Sequence, residues 1–499
     1  MPEYIRALIV ILVLSTMVFL FARKPGRQLV DIREFNRRRN LWYGVTIVAF
    51  LSQVFWVYVI ATSLMLTFAL KRENNPVALF FMLLFAVPAS QLSIPGLGVI
   101  NYLFALSHQR LLSLILLFPI FLSITRKNRS VGFGKLTPDK FIAAYILLIV
   151  SLSLRETSVT DTLRQAFYQF IDVFLPYFVV SRAINSMRAF QGVLLGFVLA
   201  VMVMALIAVF EATKFWLVYT SLENLWGIQS GFSRYGQLRA GFQRPEVTVG
   251  SIPLGYLMAT AIGFFLYLQQ GVTTRFHRIA GLLLLLVGLL ASLSRGPWVG
   301  GVIIILVFVC TGRHALRRAL AMAAAGSFSV FLIALSPAGD KLVELLPFIG
   351  DSDQGTISYR EQLLENAIIV IGRNPWFGST DYLETAELES LRQGQGIVDI
   401  VNTYIQVSLE SGLVGLAVFC GFFALVLNSI YKAMKSIREK DPEMHLLGRA
   451  LFATLAGVLL IIFTVSSVSI VPIVYWSVAG LGMAYTQLVK AEVNPIRRA

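Results

Sequence analysis

Four arginines in polar segments beside apolar runs are the residues of this chain best suited to chemistry. Arg239 and Arg244 precede one apolar run. Arg295 separates two others, and Arg360 lies in the longest polar segment. A guanidinium keeps its charge and donates two parallel hydrogen bonds to a phosphate. These residues therefore suit the binding of a phosphorylated group and the stabilisation of a departing phosphate, although arginines at such places also anchor helices at lipid headgroups.

The other reactive residue types offer fewer possibilities. The sequence has no Asp-x-Asp pair at an outer membrane boundary and no Gly-x-x-x-x-Gly-Lys loop, so we expect neither a metal nor another cofactor, and no direct nucleotide hydrolysis. Both cysteines, Cys310 and Cys420, lie in apolar runs and suit packing. Of the four histidines, only His108 is expected to reach an outer site, and a lone histidine is more often structural.

The elements that must position these residues are membrane helices. Of the 499 residues, 57% are hydrophobic and only 14% are charged, and the mean hydropathy is +0.74. Apolar runs of roughly 17 to 25 residues recur, each long enough to cross the hydrocarbon core as a helix. We predict an all-α polytopic membrane protein, a single integral membrane domain over residues 1–499, with about 14 transmembrane helices (13 to 15). The predicted spans include 41–70, 76–93 and 412–430.

The distribution of basic residues predicts which side of the membrane the loops face. If the predicted spans alternate, the Lys- and Arg-containing loops fall on one side, which is expected to be the cytoplasm; they are 126–129, 182–188, 275–278, 313–318 and 432–440. Segment 23–39 disagrees, because its seven basic residues would lie outside. Either the run 41–70 contains a second crossing or the first span is atypical.

Two long segments are predicted to lie outside the cytoplasm. The loop 338–411 holds twelve Asp and Glu against four Lys and Arg, and a long acidic loop is readily translocated. The second outer loop, 214–249, is rich in aromatic residues, which either form an interfacial belt or stack on sugar rings. These aromatics are Trp216, Tyr219, Trp226, Phe232, Tyr235 and Phe242.

A short amphipathic helix is predicted inside the acidic loop. Ser358 is a suitable N-cap and Glu361 follows three residues later. Apolar residues then recur at helical spacing through Ile371. On this assignment Arg360 lies in the first turn, where a cation opposes the helix dipole. Its presence there indicates a role beyond helix stability.

The end of the acidic loop carries a recognisable motif. Asn402 is followed by nine residues, Gly412, two residues and Gly415, with Tyr404 and Glu410 between them. This pattern resembles the signature of the O-antigen ligase and polymerase superfamily. Further segments resemble that superfamily in the same order along residues 239–416; they are Arg239 with Gly241 and Pro245, the turn Ser294-Arg295-Gly296, and the turn Asn374-Pro375-x-x-Gly378.

The chain departs from the signature at one position. Val401 stands where the ligases have a histidine, which in that family is taken to deprotonate the acceptor sugar hydroxyl. Asp399 is the candidate replacement base. Two alternatives remain open: Asp399 caps a helix that starts near Val401, or the hydroxyl loses its proton late, without a base.

The resemblance implies a GT-C-like membrane glycosyltransferase with a long extracytoplasmic loop that contains short helices. Its substrate would be a polyprenyl-diphosphate-linked oligosaccharide, and the reaction would be inverting and metal-independent. The site would face the periplasm from the bacterial inner membrane. The predicted catalytic residues are Asp399, Arg295 and Arg360, and the predicted substrate-binding residues are Arg239, Arg244, Asn402, Tyr404 and Glu410. Glu410 could instead cap a helix or pair with an arginine.

Three functions remain open at this stage. The missing histidine favours a polysaccharide polymerase that joins lipid-linked repeat units over an O-antigen ligase that transfers the glycan to a lipid or protein. A transporter of the same lipid-linked glycan would need broken helices and midplane charges rather than a motif-bearing outer loop, and the spans are nearly free of charged residues at their centres. Expected partners are membrane lipids, and possible ones a flippase and a chain-length regulator, but no nucleic acid. A shared site requires Arg239, Arg295 and Arg360 to converge.

Overall fold

The protein is a bundle of helices with two small antiparallel hairpins. The computed structural model describes residues 1–96, 98, 101–127, 131–155, 158–228, 238–239, 241–312, 315–334, 354–392 and 396–493. The first half contains α1 (Glu3–Leu29), α2 (Ile32–Leu51), α3 (Phe55–Leu70), α4 (Pro76–Leu83), β1 (Gln91–Pro95), β2 (Tyr102–Ser107), α5 (His108–Leu112), α6 (Phe118–Lys127), α7 (Thr137–Ser153), α8 (Val159–Tyr168), α9 (Leu175–Ala183), α10 (Met187–Lys214) and α11 (Thr220–Trp226). The second half contains β3 (Leu238–Arg239), β4 (Phe242–Gln243), α12 (Ser251–Leu268), α13 (Arg275–Ala291), α14 (Arg295–Cys310), α15 (Ala315–Ala334), α16 (Gln354–Arg373), α17 (Ala386–Glu389), α18 (Thr403–Ile437), α19 (Pro442–Ile461) and α20 (Ile470–Val493).

Six stretches of helix among the described residues are long and apolar enough to cross a membrane. They are Glu3–Leu29, His108–Arg126, Met187–Lys214, Ser251–Gly271, Thr403–Ile437 and Pro442–Thr464, and α3 and α14 are shorter apolar helices. α10 and α12 are the most buried and pack against each other at the centre. These helices confirm an all-α membrane protein, whereas the total of about 14 spans stays a prediction.

The predicted span 41–70 is two helices, α2 and α3, separated at residues 52–54. The turn after α3 returns to the start of α2, where buried Arg38 contacts Glu73 at 2.6 Å and Glu34 at 3.3 Å. Asn75 from the same turn donates to the carbonyl of Ala189, in the first turn of α10. The basic segment 23–39 therefore lies at the same end of the bundle as loop 182–188. A crossing by each of α2 and α3 would remove the disagreement that simple alternation produced.

The predicted span 76–93 is wrong, because α4 stops at about half the required length. Buried turn and coil backbone follows it, and such backbone needs partners inside the protein. The carbonyls of residues 83–85 accept hydrogen bonds from three side chains, those of His108, Gln109 and Thr248, at 2.9, 3.4 and 3.1 Å. Side chains distant in the sequence thus stabilise the end of this broken helix.

His108 has a structural role in this arrangement. Its Nε2 donates to the Leu83 carbonyl, and its Nδ1 lies 2.6 Å from the hydroxyl of Tyr58. The side chain is fully buried. Both ring nitrogens are therefore used inside the bundle, and His108 does not reach an outer site.

The aromatic residues of the second outer loop pack against the protein itself. The indole of Trp216 donates to Glu3 at 3.0 Å, and that of Trp226 donates to the Ser52 carbonyl at 2.8 Å. Tyr219 is buried. Phe242 is exposed, whereas Phe232 and Tyr235 lie outside the described residues. The aromatic residues of this loop that are buried therefore form neither an interfacial belt nor a sugar-stacking platform.

The described part of the acidic loop has its own small core. α16 contributes Leu363, Ala367 and Val370 at helical spacing. They pack with Tyr382, Leu388, Leu391, Ile400 and Leu409. The helix begins at Gln354, so Ser358 is not its N-cap and Arg360 lies in the second turn. The argument from the helix dipole consequently fails, and residues 338–353 of the loop lie outside the described residues.

Candidate functional site

The signature asparagine caps the helix that closes the acidic loop. Asn402 Oδ1 accepts hydrogen bonds from the backbone N–H groups of Tyr404 and Ile405, at 2.9 and 3.2 Å. α18 therefore begins nine residues before the predicted span 412–430. Because Asn402 provides the cap, the alternative that Asp399 caps this helix is wrong. The substrate-binding role of Asn402 stays a prediction.

The two glycine motifs of the loop dock on each other. Gly412 has φ +64° and interrupts the helical geometry of α18. The interruption frees the N–H of Leu413, which donates to the Pro375 carbonyl at 2.7 Å, and the carbonyl of Leu409, which accepts from Ser379 N–H at 2.9 Å. The turn that begins at Asn374 thus satisfies the backbone groups that the kink exposes.

Gly412→Ala is expected to destabilise the protein by at least about 3 kcal/mol, because a side chain at this φ is strained and the site is full. A Cβ there would lie 2.3 Å from the backbone carbonyl carbon of Trp376. The melting temperature in detergent measures the effect. The matched control is Gly372→Ala in α16, where an added Cβ meets nothing within 4 Å among the described residues. A Gly412→Ala melting temperature close to that of the control would contradict this account of the kink.

Arg239 and Arg295 meet at the C-terminal end of α13. Arg239 lies on the short hairpin β3–β4, and its Nη1 donates to the carbonyl of Leu293. Arg295, two residues after Leu293, is the first residue of α14 and not the apex of a turn. The following Gly296 has no room for a side chain, since a Cβ would lie 2.0 Å from Thr464 Oγ1. This close approach brings the start of α14 against the outer end of α19.

Arg360 reaches the same place from the acidic loop. Its Nη2 lies 3.5 Å from the carbonyl of Thr464, the residue that contacts Gly296. Its Nε is buried and has no hydrogen-bond partner among the described residues. Burial lowers the pKa of Arg360, and the nearby Asp399 carboxylate opposes this shift. A half-buried guanidinium with an unused donor is suited to an anionic ligand.

The electrostatics of Arg239 show that all four arginines converge. Burial, followed by the nearby positive charges of Arg244, Arg295 and Arg360, lowers the pKa of Arg239 to about 10. Like charges at close range are unfavourable unless an anion compensates them. The structure therefore brings together the arginines whose convergence the sequence analysis required, while their individual roles stay predictions.

Asp399 lies beside this cluster and is held at both backbone and side chain. The Tyr359 hydroxyl donates to the Asp399 carbonyl at 3.0 Å and accepts from its N–H at 3.1 Å. The carboxylate Oδ1 accepts a hydrogen bond of 2.6 Å from Ser466 Oγ. Because Tyr359 precedes Arg360 in α16, one helix positions both the carboxylate and a guanidinium.

The other two predicted binding residues have partners within the protein. The Tyr404 hydroxyl donates to the Leu459 carbonyl at 2.8 Å. Glu410 accepts from Gln406 Nε2 at 2.9 Å and from the Tyr382 hydroxyl at 3.2 Å. These contacts connect α18 to α19 and to the acidic loop. The substrate-binding roles of both residues stay predictions.

Sequence reasoning missed Glu211, which anchors the hairpin that carries Arg239. This carboxylate is fully buried at the end of α10. It accepts hydrogen bonds from three backbone N–H groups, those of Val218, Glu246 and Val247, at 3.1, 3.0 and 3.0 Å. It therefore fixes both ends of the second outer loop. The only sequence signal was an acidic residue within an apolar run.

Ser466 was missed for a different reason. It lies in the polar linker between α19 and α20, and its partner Asp399 is 67 residues away in the sequence. The same linker provides Ser467, whose N–H donates to Gln406 at 3.2 Å, and Val465, whose carbonyl accepts from Thr403 at 2.9 Å. Serines in a short outer turn give no local signal for such contacts.

The arrangement can bind a strongly anionic group and accept a proton beside it. Four guanidiniums provide the charge and the donors that a diphosphate requires. Asp399 supplies a carboxylate at the edge of that charge. Glu246 is a second acid near the cluster, and burial followed by the charges of Glu211 and Glu223 raises its pKa to about 8.

Part of this candidate site lies in a region that is similar to a known protein family. No curated protein matches the chain. Residues 280–420 match the family model described as O-antigen ligase, a range that includes Arg295, Arg360 and Asp399 but not Arg239, Arg244 or Ser466. Residues 280–420 therefore form a region similar to the O-antigen ligase family, in agreement with the resemblance that the motif spacing indicated.

Proposed function

We propose that this protein is a polysaccharide polymerase that joins polyprenyl-diphosphate-linked glycan repeat units at the outer face of the bacterial cytoplasmic membrane. The observation that carries the proposal is the convergence of Arg239, Arg244, Arg295 and Arg360 beside Asp399. A lipid-linked glycan carries its diphosphate at the membrane surface. A half-buried arginine cluster at the outer ends of membrane helices matches that position and charge.

The proposed reaction is a single displacement with inversion. The acceptor hydroxyl oxygen attacks the anomeric carbon, and the bond from that carbon to the diphosphate oxygen breaks. The arginines stabilise the charge that develops on the leaving diphosphate. Asp399 takes the hydroxyl proton, with its carboxylate held by Ser466. The glycan grows while it remains on its polyprenyl carrier.

The ligase is the second candidate, and the description of the matching family favours it. In the ligases a histidine precedes the signature asparagine. Here that position is Val401, an apolar side chain that is 8% exposed. A base is thus absent from the ligase position, which supports the polymerase.

Deletion of the gene separates the two candidates. A polymerase deletion leaves single repeat units, because the finished chain is never built, whereas a ligase deletion leaves long chains on the carrier. We expect single repeats on a glycan ladder, and restoration of long chains by the intact gene. Long carrier-linked chains in the deletion strain would contradict the polymerase and support the ligase.

The position of Glu246 predicts a pH dependence of donor binding. The pKa of Glu246 is about 8, so this acid is mostly neutral at pH 7 and becomes anionic as the pH rises through 8. Its charge then opposes the attraction of the neighbouring Arg244 for an anion. A diphosphate diester keeps its charge over this range. We expect donor affinity to fall by about fivefold between pH 7 and 9, the effect of roughly 1 kcal/mol.

The control for this prediction is Glu246→Gln, which should bind the donor with little change over the same pH range. Glu384→Gln, an exposed acid elsewhere in the acidic loop, should retain the full pH dependence. An equal fall in affinity for Glu246→Gln would assign the effect to another group.

A further inference from the structure

α16 and the turn after it expose large apolar side chains. Leu364 and Ile368 in the helix are 49% and 60% exposed, and Trp376 and Phe377 in the turn are 65% and 48% exposed. Leu413 of α18, next to the turn, is 44% exposed. A patch of this kind on a loop that is otherwise acidic indicates an interaction surface.

The turn 374–378 docks on the backbone beside Gly412. The depth of Gly412 in the membrane therefore sets the depth of this turn. At about 1.5 Å per residue, the stretch of α18 from Gly412 to Lys432 rises about 30 Å. This is the thickness of the hydrocarbon core, about 30 Å. With Lys432 at the basic end of the bundle, Gly412 lies at the outer boundary of the core. Trp376 and Phe377 therefore lie at the same boundary.

The other end of α16 lies at a similar depth. Arg360 contacts the carbonyl of Thr464. The stretch Pro442–Thr464 also spans the core, since its length is about 35 Å at the same rise per residue. Both ends of α16 are thus attached to the outer ends of membrane helices, and the helix lies along the membrane surface.

The faces of α16 differ in composition. Leu363 and Ala367 point into the loop core. At about 100° per residue, Leu364 and Ile368 lie beside that buried face, on the same side as Arg360. Glu361 and Glu365 are exposed and lie farther round the helix, at about 140° and 180° from the centre of the buried face. The apolar stripe therefore lies between the buried face and the acids, with Ile368 beside Glu361 and Glu365 the farthest from the buried face.

We propose that the stripe of Leu364 and Ile368, together with Trp376 and Phe377, inserts into the outer boundary of the lipid bilayer. The patch is continuous with the lipid-facing surface of α18 through Leu413. Tryptophan is favoured at this depth. With twelve acids against four basic residues, loop 338–411 is not attracted to anionic headgroups, so its contact with lipid is apolar. The insertion keeps Arg360 at the level of lipid headgroups.

Spin-label accessibility tests this contact without a donor and independently of the proposed function. The full chain, made cysteine-free by Cys310→Ala and Cys420→Ala, carries a label at either Ile368→Cys or Glu365→Cys. It is reconstituted in phosphatidylethanolamine and phosphatidylglycerol vesicles. Oxygen reports exposure to lipid, and a water-soluble nickel chelate reports exposure to water. We expect the oxygen-to-nickel collision ratio to be several-fold higher at residue 368 than at residue 365.

Two outcomes overturn the proposal. Equal ratios at the two positions would place the stripe in water. Protection of residue 368 from both reagents would mean that protein, such as a second copy of the chain, covers the stripe. Leu364→Cys supplies a second labelling site on the stripe, so that poor folding of one variant does not decide the result.

Discussion

Asp399→Asn is expected to lower turnover by about 10² to 10⁴-fold while donor affinity barely changes, the usual range for loss of a general base. The amide keeps the shape of the side chain, and its oxygen can still accept the 2.6 Å hydrogen bond from Ser466. It cannot take the proton of the acceptor hydroxyl. Because Asn402 caps α18, the substitution removes no helix cap.

Polymer formation from purified lipid-linked repeats, measured with donor affinity and melting temperature, checks this expectation. Glu384→Gln, which changes an exposed acid of the same loop, should retain normal turnover. A folded Asp399→Asn protein with near-normal turnover would exclude Asp399 as the base. The reaction would then proceed by late proton loss, with the arginines supplying most of the catalysis.

Arg360→Lys is expected to lower kcat/KM by about 10- to 150-fold, the value of one charged hydrogen bond of roughly 1.5 to 3 kcal/mol. Lysine keeps the charge but cannot reproduce the two parallel donors of a guanidinium. It also places that charge differently with respect to Asp399 and the Thr464 carbonyl. The same substitution at Arg295 is expected to act similarly.

Arg373→Lys provides a control on the same helix. Arg373 lies at the far end of α16, where it is exposed and pairs with Glu387. Steady-state rates with the lipid-linked donor should be unchanged in this variant, because an exposed ion pair contributes little. If Arg360→Lys matched the wild-type rate in the same assay, Arg360 would not bind the leaving group.

Hydropathy was sufficient to predict the class of this protein. Only helices or closed barrels satisfy backbone groups in lipid, so long apolar runs require helices whatever their neighbours are. Hydropathy could not locate the interruptions, however. The break between α2 and α3 and the early end of α4 depend on Arg38–Glu73 and on His108, contacts between residues distant in the sequence.

The spacing of Asn402, Gly412 and Gly415 predicted a resemblance to the superfamily, and the family match over residues 280–420 confirms that resemblance. Spacing within one segment is a local property, and a sequence displays it directly. The reason for Gly412 is not local, because its φ of +64° creates the place where the turn from Asn374 docks. The sequence contained both motifs without showing that they meet.

Some residues of the candidate site were likewise predicted from the sequence, and others were found only in the structure. The sequence alone identified the arginines and Asp399, because charged residues beside apolar runs are rare and costly. Tertiary structure alone showed that Arg239 lies near Arg360. It also revealed Glu211, which holds the hairpin through backbone hydrogen bonds, and Ser466, which holds Asp399 through one hydrogen bond across 67 residues. Such contacts are set by how helices pack against one another, and helix packing leaves no periodic pattern in the residues that it brings together.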